Sequence, residues 1–316
     1  MSVHAVHGVR VMSSLPLTRH PLAAGGAELT VEVGAPRAMP PGRPPGQPML
    51  SFALGGSPVY SASGDGGHTV LRIHGLCDFE MGPERVRAVC HPAPGADQER
   101  LALVTRGAFL AFWLALGGDH ALHASAVEVD DRAVAFVGDT GIGKSTMAGW
   151  ACSAGALFIT DDLLRLGPGR PPQWIGRSPE LRLRAGASEL VDTRRSSWQV
   201  RATSDGRLAA VPPMGETATG RVAAVVIPQP VRDQAPIGID RVEPVQAALH
   251  LARFSRIQGW CHRRGLETQL DGSSRVADSI PVFVVRVPWG PPFRTETIDD
   301  VLHRVLEGAC STAERR

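Results

Sequence analysis

Nine residues constrain this chain more than any other stretch. Gly138-Asp139-Thr140-Gly141-Ile142-Gly143-Lys144-Ser145-Thr146 matches G-x-x-x-x-G-K-[ST] at every fixed position. Ala133 to Val137 is an apolar run of strand length leading into the glycines, and Lys144 to Ser153 reads as a helix leaving them. Strand, loop and helix in that order turn backbone N–H groups and a helix N-terminus toward one anion. Lys144 neutralises outer phosphate charge and Ser145 ligates Mg²⁺. A glycine-rich turn between a strand and a helix is the alternative, and the flanking elements argue against it. The reading is a nucleotide site that uses Mg²⁺.

With 316 residues, 43% hydrophobic and 20% charged, the chain has the composition of one large or two modest globular domains. Its formal charge of +2 supplies no electrostatic reason to expect nucleic acid or a membrane surface as partner. Cys77, Cys90, Cys152, Cys261 and Cys310 are scattered without C-x-x-C spacing, which suggests neither a zinc site nor a disulfide framework. No apolar run spans a bilayer, and the N-terminus lacks a sustained apolar segment of the signal-peptide kind. A soluble, cytoplasmic protein is expected.

Residues 1 to about 25 show no clear period, and the proline-rich stretch from Ala35 to Pro48 reads as a connector. Strands are predicted at Glu28 to Val33, Met49 to Leu54, Pro58 to Ala62, His68 to Ile73 and Val86 to His91, which makes residues 1–97 a smaller β-rich domain. From Asp97 to Leu116 apolar residues recur at helical spacing, with Phe109, Phe112 and Trp113 as packing residues and Gly117-Gly118 as the stop. A second, α/β domain is drawn over 98–316. Within it, Ala121 to Val137 reads as a hairpin presenting His123 beside the glycines. Gly155 to Thr160 reads as the second strand of a βαβ unit, so Asp161 and Asp162 should lie near the cradle. Residues 167–220 are rich in Gly, Pro, Arg and Ser; Glu180 to Leu183 is strand-like, Ala187 to Val191 is a short helix candidate, and Trp198 to Thr219 reads as mobile loop. Arg221 to Ile227 and Pro281 to Val287 are further strands, and Glu243 to Phe254 and Thr295 to Gly308 are helices.

Two carboxylates at a strand end beside a triphosphate can divide labour, one holding Mg²⁺ and the other accepting a proton from an attacking hydroxyl. An exposed turn with an Asp cap is the competing reading. His123 is either a satisfied core residue or an imidazole near phosphates. Arg182 and Arg184 either reach the outer phosphate or an acidic acceptor, or are solvated. His250, His262 and His303 have no metal-ligand spacing.

Taken together, Leu122-His123-Ala124-Ser125-Ala126-Val127, the loop from Gly138 to Thr146, and Leu157-Phe158-Ile159-Thr160-Asp161-Asp162 resemble the catalytic core of HPr kinase/phosphorylase and its relatives. The resemblance covers roughly residues 120 to 166. It implies a P-loop core like the C-terminal domain of those kinases, with His123 assisting at the phosphates. Lys144 and Ser145 would hold nucleotide and Mg²⁺, Asp161 would be the base, and Asp162 would support metal and geometry. Thr146 stands where those kinases usually carry an acidic residue, the N-terminal unit is unlike theirs, and their second signature is not found in residues 175 to 190. The chain is therefore more similar to divergent HPr-kinase-like proteins, some of which phosphorylate a serine of a natural-product precursor such as a lasso peptide. The expected activity is phosphoryl transfer from ATP to a serine or similar hydroxyl of a peptide or protein. A small-molecule hydroxyl kinase, a nucleotide-switched binding protein and an assembly protein with a vestigial loop are the rivals. The acceptor, the choice between ATP and GTP, a reverse phosphorylase activity and homo-oligomer formation stay open.

Overall fold

In a computed structural model that describes residues 1–23, 25–192, 197–231 and 236–313, alternating apolar residues of the first ninety positions build one eight-stranded sheet. Its strands are β1 (Ser2–Val6), β2 (Val9–Ser13), β3 (Leu29–Val33), β4 (Gln47–Leu54), β5 (Ser57–Asp65), β6 (His68–Ile73), β7 (Cys77–Met81) and β8 (Arg87–Pro92), in the order β1-β2-β3-β8-β7-β6-β5-β4. The stretch without a clear period thus supplies two strands. His7 and Gly8, at φ 49° and 73°, make the two-residue left-handed turn that closes β1 onto β2. Arg72 and Asp78 face each other across β6 and β7 and form a buried paired hydrogen bond, 2.8 Å at each oxygen.

The aromatic stripe folds as helices α1 (Gln98–Val104) and α2 (Leu110–Leu116), joined by a π turn over Thr105–Phe109. Asp97 caps its start by accepting from the Arg100 N–H at 2.8 Å. Phe109 stacks on Phe79 of the sheet with ring centroids 4.3 Å apart, and Phe112 lies against Trp260. These contacts group the helix with the β-rich unit, which comprises Met1–Gly118 and Ile257–Gln269. The boundary therefore falls after Gly118 rather than at 97/98. The second unit is Asp119–Arg256 with Leu270–Arg316, so 98–316 is not one continuous domain.

The second unit is mixed α/β. Its elements are β9 (His120–Leu122), β10 (Ala124–Val129), β11 (Arg132–Val137), α3 (Lys144–Ser153), β12 (Leu157–Thr160), β13 (Leu164–Leu166), β14 (Gln173–Ile175), β15 (Leu181–Leu183), α4 (Ser188–Asp192), β16 (Gln199–Ala202), β17 (Leu208–Val211), β18 (Thr219–Val231), β19 (Gly238–Arg241), α5 (Pro244–Arg253), α6 (Arg263–Ser279), β20 (Val282–Pro288) and α7 (Thr295–Ala313). The first part of α6 belongs to the other unit. Strands β11, β18 and β20 run parallel and side by side. Along β11 the side chains alternate between two cores. Val134 and Phe136 pack with residues of α3 and α7, while Ala133, Ala135 and Val137 pack with residues of α5 and the end of α6.

The hairpin strand β10 is inserted between the two strands of the βαβ unit, and β12 pairs antiparallel with it. Being antiparallel to both, β10 still leaves β11 and β12 running the same way. The stretch from Trp198 to Thr219 is not a structureless loop: β15, β17 and β16 form a three-stranded sheet, and Trp198 is buried. No helix among the described residues is long and apolar enough to cross a membrane.

Candidate functional site

Because β11 and β12 point the same way, the loop after β11 and the aspartates after β12 emerge at one edge of the sheet, outside the carboxyl ends of strands where ligands of open α/β sheets bind. The loop runs Gly138 to Gly143, and α3 begins at Lys144. Gly141 and Gly143 adopt φ of 89° and 105°, backbone that a side chain would strain. The N–H of Ile142 bonds the Asp139 carbonyl at 3.2 Å, which curls the loop, and Thr140 is exposed at its tip. Asp139 turns outward to pair with Arg253 at 2.7 Å. Thr146 is half-buried in the first turn of α3.

Lys144 is the one lysine among the chain's 33 lysine and arginine residues. An ammonium at this position is thus singled out in a chain otherwise built with guanidinium groups, a signal that residue counting alone exposes. Its Nζ donates to the carbonyls of Gly138 (2.9 Å) and Asp139 (3.1 Å) from a buried position, closing the loop around the point charge. Burial lowers its ammonium to about 8, against the pull of Asp161 and Asp162.

The two aspartates, adjacent in sequence, have different environments. Asp161 accepts from the hydroxyls of Ser145 (2.7 Å) and Ser125 (2.6 Å) on one oxygen and from the Arg182 N–H (3.0 Å) on the other. Its own N–H is held by the Ser178 hydroxyl at 2.9 Å. Burial raises its carboxyl above the ordinary value, and the three donors oppose that shift. Asp162 sits at φ 76°, an uncommon left-handed conformation for a residue with a side chain, which sends its carboxylate another way. There it pairs with Arg256 at 2.8 Å and lies 3.8 Å from Nε2 of His123, with its side chain 40% exposed.

His123 stands between β9 and β10 rather than within the hairpin, and its N–H is anchored to the Phe254 carbonyl at 2.7 Å. Burial dominates its environment and lowers the imidazole to about 3, so it is neutral at physiological pH. The two arginines on and after β15 separate. Arg182 turns its guanidinium to Asp205 at 2.6 Å, whereas Arg184 stays exposed beside the loop: a Cβ placed on Gly141 would meet its nitrogens at 3.6 and 3.7 Å.

The structure therefore brings together His123, the Gly138–Thr146 loop with Lys144 and Ser145, Asp161, Asp162 and Arg184. It adds Ser125, Ser178 and Arg256, which sequence reasoning did not assign. Ser125 had a signal, a hydroxyl among apolar neighbours. Arg256 had none, being one of many arginines far along the chain from Asp162.

Oxygen donors from Ser145 and Asp161 suit a hard divalent cation. Among the described residues no group of three or more His, Cys, Asp or Glu side chains is arranged for a metal, so such a cation would complete its shell with water and phosphate oxygens, as Mg²⁺ commonly does.

No protein-family model matches this chain, and no curated protein matches it. Among solved structures, the Hpr(Ser) kinase/phosphatase from Coxiella burnetii is similar over 62% of this chain and 98% of that chain, with 14% identity and a TM-score of 0.32. That is a distant likeness and assigns neither family nor activity.

Proposed function

We propose that the protein is an ATP- and Mg²⁺-dependent kinase that transfers the γ-phosphoryl group to a serine or similar hydroxyl of a peptide or protein in the cytoplasm. The observation that carries the reading is the 2.7 Å bond between Ser145 and Asp161, with Asp162 on the next residue turned to a different, exposed position. A nucleotide switch needs the first pair; the second carboxylate beside it suits proton transfer.

The environments favour a division of labour opposite to the one the resemblance implies. Asp161, with donors on both oxygens and the loop hydroxyl on one, suits the metal-side role in this reading. Asp162, more exposed and paired with Arg256, suits the base role in this reading. Mg²⁺, when bound at Ser145 and Asp161, supplies charge neutralisation on the phosphates. Lys144 and the loop N–H groups bind the phosphate chain, and Arg184 offers positive charge beside Gly141. The acceptor O–H bond breaks as its proton passes to Asp162. The acceptor oxygen bonds to the γ-phosphorus, the bond from that phosphorus to the β,γ-bridging oxygen breaks, and ADP leaves. The β-rich unit contributes acceptor selection in this reading.

The test is single-turnover transfer from γ-labelled ATP to a panel of hydroxyl-bearing peptides, proteins and small molecules. Asp162→Asn should retain ATP binding and lose about 10²-fold or more in transfer, since an amide has no basic lone pair to offer. Wild-type transfer by that variant would remove Asp162 from the base role. Tight ATP binding without transfer to any acceptor, coupled to a nucleotide-dependent partner, would favour the switch.

A further inference from the structure

Strand β20 runs parallel to β18 and β11, so its carboxyl end opens on the same edge as the glycine loop. The residue that follows it, Trp289, is held there by its N–H on the carbonyl of Val231, the last residue of β18, at 2.9 Å. Its ring lies directly against the loop. A Cβ placed on Gly143 would be 2.3 Å from Cη2 and 2.5 Å from Cζ2 of the indole, so only glycine fits beneath it. The ring is braced by an edge-on contact with Phe293 (centroids 6.1 Å, 88°), which in turn meets Trp150 of α3 edge-on (5.3 Å, 71°). Trp150 is tied by its Nε1 to the Arg294 carbonyl at 3.0 Å.

A half-buried indole held this firmly at the lip of a phosphate cradle has little to offer a phosphate, since an aromatic face is electron-rich. It has much to offer a nucleobase, because stacking on an aromatic ring is favourable for every base. The loop moreover meets two different groups. Arg184 stands by Gly141 and Trp289 by Gly143, so charge lies beside one glycine and an aromatic surface beside the other, two residues further on. A nucleoside triphosphate has the same polarity, with its most charged group at one end and its ring at the other.

We infer that Trp289 is the platform on which the base of the bound nucleoside triphosphate stacks. This deepens the nucleotide reading above and rests on it. Stacking does not read hydrogen-bond edges, so Trp289 fixes the orientation of the nucleotide without choosing between adenine and guanine.

The test uses the full chain with Mg²⁺ and two probes in calorimetry, ATP and inorganic tripolyphosphate, which has the phosphates and no base. Trp289→Ala should weaken ATP binding by about tenfold and leave tripolyphosphate unchanged, while Trp289→Phe, which keeps an aromatic face and the packing on Phe293, should hold ATP within about threefold of wild type. Equal losses for both probes in Trp289→Ala would mean the ring only supports the loop, and unchanged ATP affinity would mean it does not touch the base; either overturns the inference while the nucleotide reading stands. If Trp289→Ala does not fold, ATP that quenches the tryptophan fluorescence of wild type no more than that of Trp289→Phe overturns it instead. Wild-type protein that binds neither probe would overturn the nucleotide reading and this inference together.

Discussion

Lys144 provides a titration with a single reporter, because a lysine label enters the chain at one position. Its ordinary value of 10.5 is lowered to about 8 by burial. The sign follows from linkage. Below pH 8 the folded and unfolded states both carry the proton, and the fold bears the full cost of burying the charge, about 3 kcal/mol for a displacement from 10.5 to about 8. Between 8 and 10.5 the folded lysine is neutral and the unfolded one still charged, so this group makes the ligand-free protein more stable as pH rises. Buried thiols work against it. The hydrogen bond with Cys90 and burial raise Cys77, and burial raises Cys152, so both favour unfolding as pH climbs past their ordinary 9.0. Lys144→Met isolates the lysine part. The unfolding free energy of wild type minus that of the variant should rise by about 2 kcal/mol between pH 7.5 and 10. The same displacement should appear as a midpoint near 8 for the single Cε resonance of ¹³C-lysine-labelled protein, and saturating Mg-ATP should move it upward as phosphate charge stabilises the ammonium. A midpoint of 10 or above without nucleotide would refute the reasoning, since it would mean a solvated lysine outside the loop.

Asp161→Asn should raise the Mg²⁺ concentration needed for half-maximal transfer by about tenfold or more, because a neutral amide is a poorer ligand for a hard cation; a titration of Mg²⁺ at fixed ATP measures this, and an unchanged requirement would detach Asp161 from the metal. Arg184→Ala should narrow the affinity difference between ATP and ADP by several-fold, as expected when a charge-assisted contact to the outermost phosphate is lost, and equal effects on both nucleotides in calorimetry would place the guanidinium elsewhere.

What was legible in the sequence is what neighbours along the chain decide. The strand, glycine loop and helix from Ala133 to Ser153 follow from local conformation, because glycines are needed where the backbone turns left-handed and a helix can begin only once the turn is made. The start of α1 at the Asp97 cap and of α5 at Pro244 are equally local. The approach of Asp161 and Asp162 to the loop needed only the direction of two strands, and it holds although β10 lies between them. Tertiary structure decided the rest. Trp198 to Val211 is polar and broken by small residues, and its strands β16 and β17 pair with each other and extend onto β15 through β17. The aromatic stripe on α1 and α2 announces burial without naming its partner, and the choice of Phe79 and Trp260 moved the domain boundary. The contrast between the two aspartates depends on Ser125, Arg182 and Arg256, and the ring over the loop on Trp289, all brought in from remote positions. A residue pattern carries the local periods of helix and strand, but which distant side chain completes a carboxylate's hydrogen bonds is set by the order of strands in the sheet, and that order is settled only when the whole chain has found places for its apolar faces.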